Sequence, residues 1–365
     1  MIVGVPKEVK ENEYRVGMIP AGVDQLIRGG HQVFVEKSAG IGSGIADDEY
    51  TKIGAKVVGT AAEVWKRAEL VVKVKEPQKK EWPMMREGQI VLTYFHFAAD
   101  RSLIQGCMKA GITAVAYETI TDRHGRLPCL TPMSEVAGKM SIQEGVKFLE
   151  KPMGGSGVLL GGVPGVAAAN VVVLGGGAVG SCAAKVAAGL GANVVLMDVS
   201  MERLRYLDDV MPANVMTIYS DPLSVRKYLR DADLVVGAVL IPGARAPRLV
   251  TRDDLKVMKN GSVIVDVAID QGGCIETSRP TSHKNPTYVV EGVVHYCVTN
   301  MPGAVSRTST FALCNATIPY AKAIANKGWD VAAAEDKGLA EGLNMAHGKI
   351  VHEGVKEFWE RKRAV

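Results

Sequence analysis

No run of about 18 apolar residues occurs anywhere in the chain, so a membrane-spanning helix is not expected. The first residues, Ile2-Val3-Gly4-Val5, lack the basic region, apolar stretch and cleavage site of a secretory leader. Cysteine is sparse and scattered. Cys107, Cys129, Cys182, Cys274, Cys297 and Cys314 form neither a C-x-x-C pair nor a compact framework, which excludes a disulfide scaffold and argues against structural zinc. The thiols read as buried and reduced, and the chain as a soluble cytoplasmic protein. No long basic run accompanies the net charge of +4, and no basic stretch is interleaved with aromatics, so nucleic acid is not an expected partner. Small anionic substrates remain open. The histidines are dispersed without H-E-x-x-H spacing, and no metal ligand set is expected from them.

What the chain does contain is length, apolar content and one strong motif. Its 365 residues exceed one ordinary core, and 47% hydrophobic residues suit two globular domains. Between Val171 and Asp198, the β run Val171-Val172-Val173-Leu174 leads into Gly175-Gly176-Gly177-Ala178-Val179-Gly180, an alanine-rich helical stretch and a second β run. This is G-x-G-x-x-G inside a βαβ unit. The first glycine permits the tight turn, the second lets backbone approach a pyrophosphate, and the third lets helix and strand pack closely. The helix-start amides then face the phosphates. The preceding strand, the following helix and the acid at Asp198 distinguish the motif from an ordinary glycine-rich turn. A carboxylate there accepts from a ribose 2′-OH and repels a 2′-phosphate, so NAD is expected over NADP.

Apolar runs with β-branched residues alternate with amphipathic segments, the pattern of parallel sheets covered by helices. Strands are expected near Ile2–Val5, Val33–Glu36, Lys56–Val58, Leu70–Val74, Ile90–Thr93 and Thr113–Tyr117. A second sheet would use Val171–Leu174, Val194–Asp198, Val215–Tyr219, Leu234–Val236, Val263–Val267 and Tyr288–Val290. A helix is expected from Thr131 to about Glu150, and a glycine-rich loop from Gly154 to Gly165. After Arg307 the strand pattern stops, and Thr308–Ala325 and Ala346–Arg363 read as two long helices. The expected fold class is thus α/β, with two doubly wound parallel-sheet domains and an active-site cleft between them. One domain is a Rossmann dinucleotide-binding domain at 131–306; the other, discontinuous, takes 1–130 and 307–365.

Ligands of open α/β sheets bind beyond the carboxyl ends of strands. That rule selects Arg15, Lys75, Tyr94 and His96 in the first half, and Asp270 and Asn300 in the second. Each has a plainer reading. Arg15 and Lys75 fit solvated surface charges as well as ligand contacts. His96, between Phe95 and Phe97, fits a core histidine or a general acid/base shielded from water. Asp270, before Gly272-Gly273, fits a turn residue.

Several motifs, taken in order and spacing, carry a resemblance. They are Gly4-Val5-Pro6-Lys7-Glu8 with Glu13-Tyr14-Arg15-Val16 and Pro20, Val74-Lys75-Glu76-Pro77, Thr93-Tyr94-Phe95-His96, Gly161-Gly162-Val163-Pro164-Gly165, the glycine fingerprint, and Asn300-Met301-Pro302-Gly303-Ala304-Val305. Over essentially its whole length the chain resembles the family of NAD-dependent alanine dehydrogenases and the NAD-binding subunits of proton-translocating transhydrogenases. Tyr94-Phe95-His96 and the Asp270 loop resemble the dehydrogenase branch.

The resemblance implies reversible, NAD-dependent oxidative deamination of L-alanine to pyruvate and ammonium by a homohexamer. It also implies roles. Arg15 and Lys75 would hold the substrate carboxylate, His96 would be the general acid/base with Asp270 as its catalytic partner, and Tyr94 and Asn300 would shape the pocket. Around NAD it places Ser134, Gly175, Gly177, Ala178, Val179, Gly180, Asp198, Arg203, Ser220, Val239, Leu240, Val267, Ala268, Ile269, Asp270, Arg279, Val298, Thr299, Asn300 and Met301. Some members bind magnesium through a glutamate and a histidine. Glu118 matches the first position, but Lys327 stands where the histidine belongs, so no metal is expected. A second reading is a soluble NAD(H)-binding transhydrogenase subunit that passes hydride to a nucleotide on a partner. A third is a non-catalytic NAD-binding regulator on the same fold.

Overall fold

The structure, a computed structural model, describes residues 1–239 and 246–361. In chain order its strands are β1 (Ile2–Val5), β2 (Gln32–Glu36), β3 (Lys56–Val58), β4 (Leu70–Val72), β5 (Ile90–Thr93), β6 (Thr113–Ala116), β7 (Asn170–Leu174), β8 (Asn193–Asp198), β9 (Val215–Tyr219), β10 (Leu234–Gly237), β11 (Val263–Asp266), β12 (Thr287–Val290), β13 (Val293–Tyr296), β14 (Leu343–Ala346) and β15 (Lys349–Ile350). They form two sheets in two compact units, one of Met1–Met133 with Gly303–Val365 and one of Ser134–Pro302.

The first unit's sheet runs β15-β14-β6-β5-β4-β1-β2-β3. Pairing from β6 through β3 is parallel, and β14 and β15 add antiparallel at the β6 edge. Strand alternation sends Leu70, Val72, Leu92 and Val115 into one core layer, with Leu313, Cys314 and Ile318 of the helix Ser306–Lys327. Val71, Val91, Ala114 and Ala116 enter the opposite layer, with Trp65, Leu103 and Ile104. Chain order reverses between β1 and β4, so the loops leaving these strands part to opposite sides. This is a topological switch point, the position at which doubly wound sheets bind ligands.

The second unit's sheet runs β12-β13-β11-β10-β7-β8-β9, parallel apart from β12. Its switch point lies between β7 and β10. Both sheets are doubly wound and parallel-dominated, as the alternating pattern implies.

Three segments depart from the sequence reading. Strands do not stop at Arg307, because β14 and β15 follow it. Their few residues carry little β-branched signal, and pairing with β6 and burial of Met345 hold them. The long helix expected over Ala346–Arg363 is therefore corrected. His347 and Gly348 take positive φ of 45° and 74° in the β14–β15 turn, and helix is confined to Glu353–Glu360. Arg363 lies outside the described residues. Third, β12 is not the last strand of its sheet. Glu291 and Gly292, with φ of 48° and 77°, make a two-residue turn into β13, the positive-φ pair that tight hairpins require. The last strand expected from sequence ends at Val290, although the repeated Val-Val on either side of Glu291-Gly292 is a hairpin signal. At finer scale, β4 ends at Val72 and β6 at Ala116, earlier than expected.

Candidate functional site

In the second unit the fingerprint occupies the switch point. Gly175 has φ of 104°, and a Cβ there would lie 2.8 Å from the carbonyl oxygen of Ala238, on the loop after β10. A Cβ at Gly180 would collide with the carbonyl oxygen of Gly175, so this residue brings helix Ala178–Gly189 against its strand. Among the described residues, a Cβ at Gly177 would meet nothing within 4 Å. The motif thus sorts into one glycine for the turn, one for close packing, and one at the start of a helix whose Cβ position no described residue approaches. Such a helix start offers unpaired amides to an anion.

Asp198 ends β8. Its Oδ2 accepts from the amide of Gly176 at 2.7 Å and its Oδ1 from that of Ser200 at 2.8 Å. Arg203 Nε donates to the Gly176 carbonyl at 2.6 Å, and the Ser220 amide donates to the Asp198 carbonyl at 2.9 Å. Val239 packs beside Gly175. Gly175, Gly176, Asp198, Arg203, Ser220 and Val239 are therefore gathered at one end of the sheet. Ser134 stands in the first turn of helix Thr131–Leu149, whose Gly138 lies against Val179 and Cys182. Leu240 lies outside the described residues.

After β11 the chain makes a turn of 3-10 helix, Val267–Gln271, that includes Ala268, Ile269 and Asp270. Sequence reasoning missed the residue that organises it. Asp266 is buried, caps this turn through the Ala268 amide at 3.1 Å, and accepts from the Cys274 amide at 3.0 Å and Ser278 Oγ at 2.6 Å. Burial raises its carboxyl above the usual range despite these donors. Arg279 follows Ser278 and is exposed, its guanidinium 4.2 Å from the centre of the Tyr288 ring. The Thr281 amide donates to the Cys297 carbonyl at 2.9 Å, joining this loop to Val298-Thr299-Asn300-Met301 after β13; Asn300 has φ of 59°.

In the first unit Arg15, Lys75, Tyr94 and His96 all lie on loops leaving β1, β4 and β5 at their carboxyl ends. Arg15 is buried and gripped by Glu13, with Nε to Oε1 and Nη2 to Oε2 both at 2.6 Å. Burial opposes both charges, but the paired hydrogen bonds outweigh it, holding Glu13 below the ordinary carboxylate range and Arg15 above its own. Arg15 Nη1 also reaches Met133 Sδ at 3.0 Å. Tyr94 is buried, donates its hydroxyl to the Cys129 carbonyl at 2.5 Å and meets Tyr117 edge-on.

Lys75 is half-buried. Burial, then Arg15 and Lys10, lower its pKa, and among the described residues no carboxylate lies within ion-pair distance of its ammonium. Its backbone is fixed by a group that sequence reasoning left aside. Lys73, fully buried, pairs with Glu8 at 3.1 Å and Glu81 at 2.9 Å, and Glu8 Oε1 accepts from the amides of Val74 at 2.6 Å and Lys75 at 3.4 Å. Burial works against the Lys73 charge, yet the two carboxylates keep it protonated well above the ordinary range. A lysine interrupting the apolar run Leu70–Val74 was the available signal.

His96 has φ of 51°, a left-handed conformation uncommon for a side-chain-bearing residue. Glu118 holds it there, accepting from the Phe95 amide at 3.0 Å and the His96 amide at 2.5 Å. Lys327 forms an ion pair with Glu335.

A doubly wound sheet with this fingerprint and acid defines an α/β protein of the dinucleotide-binding class. The chain belongs to the alanine dehydrogenase/PNT family: the model of its N-terminal domain matches residues 4–137 and that of its C-terminal domain residues 141–353. An alanine dehydrogenase of Methanococcus maripaludis is 54% identical over 97% of this chain and 95% of its own length. A solved structure of an L-alanine dehydrogenase, 51% identical, superposes with a TM-score of 0.96 over 98% of this chain and 99% of that one. The transhydrogenase of Sinorhizobium meliloti, 28% identical, superposes with a TM-score of 0.84 over 96% of this chain and all of that one.

Proposed function

We propose that this chain catalyses the reversible reaction L-alanine + NAD⁺ + H₂O ⇌ pyruvate + NH₄⁺ + NADH + H⁺. The observation that carries this reading is sequence identity above 50% to alanine dehydrogenases over nearly the whole chain. The residues suit the cofactor: a Gly177 that no described side chain crowds, a helix start behind it, and a carboxylate at Asp198 where a ribose hydroxyl would donate. When bound, NAD⁺ supplies the hydride acceptor.

The chain's own residues do the rest. Lys75, with Arg15 beside it, holds the substrate carboxylate and so orients the Cα–H bond, replacing a bimolecular search by a fixed approach. Tyr94 forms an apolar wall there. Once alanine has become the imino acid, His96 takes a proton from water as it adds, then returns one to nitrogen as the carbinolamine collapses. Asp270 and Asn300, on the second unit's loops, are assigned to support the imidazolium and the substrate. We further assign 131–306 as the NAD-binding domain and the remainder as the substrate domain, in a cytoplasmic homohexamer.

The test is NADH formation, followed at its absorbance band, by purified protein given only L-alanine and NAD⁺. Turnover that saturates in alanine supports the reading. Turnover only after a nucleotide-binding partner is added would favour a transhydrogenase subunit, a reading kept open by the structural match to the Sinorhizobium protein. NAD binding without turnover would favour a regulator.

A further inference from the structure

Two carboxylates of the first unit lie against His96 in different ways. Glu118 secures its backbone, as described above. Glu76, on the loop after β4, faces its ring. Glu76 Oε1 is occupied by Lys10 Nζ at 2.5 Å and Gln78 Nε2 at 3.1 Å. Its Oε2 is buried, has no hydrogen-bond partner among the described residues, and lies 3.6 Å from His96 Nδ1. A buried acceptor left unsatisfied costs free energy, and a small rotation of the half-exposed imidazole would satisfy this one. The Tyr94 ring lies beside the imidazole, with its centroid 5.8 Å from that of His96. Lys10 and His96 together outweigh burial and hold the Glu76 carboxyl far below the ordinary range, so it remains an acceptor across the working pH.

We propose that Glu76 is a positioning residue for His96, accepting a hydrogen bond from Nδ1–H and thereby leaving Nε2 as the basic nitrogen. A neutral imidazole carries one proton, and whichever nitrogen donates to a fixed acceptor decides where the free lone pair lies. A carboxylate oriented on one ring nitrogen is how an acid/base histidine is kept in its working tautomer. Among the described residues, the charged groups facing His96 are Glu76, with Lys10 bound to it, and Glu118 at the His96 backbone. The catalytic consequence rests on the acid/base role proposed for His96; the tautomer does not.

The experiment pairs a spectroscopic readout with kinetics on the intact protein. Histidine labelled with ¹³C at Cδ2 reports the neutral tautomer in mildly alkaline buffer, and a His96→Gln sample assigns the signal. The unsubstituted protein is expected to show the Nδ1–H form. Glu76→Leu, which removes the acceptor, should shift His96 towards Nε2–H, and Glu76→Gln, which keeps an oxygen, should retain more of the original form. In alanine oxidation, kcat should fall on the order of 100-fold in Glu76→Leu and less in Glu76→Gln, with the KM for alanine and the NADH dissociation constant within about twofold. An Nε2–H signal in the unsubstituted protein, or a tautomer unmoved by Glu76→Leu, would overturn the proposal. A tautomer shift in a protein that does not oxidise alanine would leave Glu76 as the positioning residue and instead remove the function proposed above. A shift with kcat unchanged would confine Glu76 to setting the tautomer and remove its catalytic consequence.

Discussion

Glu13 grips Arg15 side-on, two oxygens against two nitrogens at 2.6 Å, and both side chains are buried. The pair is close to neutral as seen by an incoming ligand. Lys75 beside it has no such carboxylate among the described residues, so most of the positive field at this rim belongs to Lys75.

The two cations should therefore respond differently to removal. Lys75→Ala is expected to raise the KM for alanine and pyruvate by about 1.5–3 kcal/mol, the loss of one charge-assisted contact, with little change in melting temperature. Arg15→Ala also takes from buried Glu13 its bidentate cation, and should lower stability by about 3–5 kcal/mol as well as weakening substrate. Steady-state kinetics beside thermal unfolding separates the cases. Equal melting temperatures for the two variants would count against the buried pair.

Alkaline pH should act on the same lysine. Burial and neighbouring cations favour the neutral form of Lys75, so its charge is lost at lower pH than that of a free lysine. If the charged form binds the carboxylate as proposed, the KM for pyruvate should climb as pH rises, beginning below the ordinary lysine range. Lys75→Arg should flatten that climb, because guanidinium stays charged. A KM independent of alkaline pH would remove Lys75 from the substrate site.

Asp198 holds the backbone of Gly176 and Ser200, and the proposed NAD site gives it selectivity as well. Replacing it by Ser is expected to cost about 1.5–3 kcal/mol of NAD affinity and to move the NAD/NADP ratio of kcat/KM towards NADP, with Arg203 already beside Gly176. An unmoved ratio would show that the ribose lies elsewhere. Asp198→Asn, which keeps an acceptor for the Gly176 amide, should be the more stable of the two variants.

The Lys73 cluster should behave as a structural joint. Lys73→Met leaves Glu8 and Glu81 buried without a cation and is expected to cost about 3–5 kcal/mol in urea unfolding. Adding Glu8→Gln and Glu81→Gln should recover much of that loss. A single variant as stable as the original chain would mean that water reaches the two acids.

Asp270→Asn keeps size and hydrogen-bonding capacity while removing charge. If Asp270 supports the His96 imidazolium, kcat should drop steeply while NADH affinity, read by fluorescence titration, changes little. Lost NADH binding with residual chemistry intact would make it a cofactor-loop residue, and unchanged kinetics would make it a turn residue.

Most strands were legible because both sheets are buried on their two faces, so β-branched runs such as Val171–Leu174 and Val263–Asp266 stand out against amphipathic helices. Where tertiary pairing supplied the stability, the signal failed. β14, Leu-Asn-Met-Ala, has little strand character of its own and exists because the β6 edge offers it a ladder. The β13 hairpin was missed through its turn, since a glutamate at positive φ is an uncommon choice for a place usually given to asparagine or glycine.

The candidate site divides in the same way. Local sequence by itself determined the glycine fingerprint, the acid that follows it and the strand-end positions of Arg15, Lys75 and His96, because each depends on backbone geometry over a few residues or on strand direction. Only the tertiary structure decided their partners. Glu13 is close in sequence to Arg15, but burial makes their pair bidentate and near neutral; Glu8 and Glu81 find Lys73, Glu118 finds the His96 amide, and Glu76 finds its ring through loops that neighbouring strands bring to one rim. Charge strength and ring orientation depend on desolvation and on atoms a few ångströms away, and both are properties of packing that no single stretch of sequence contains.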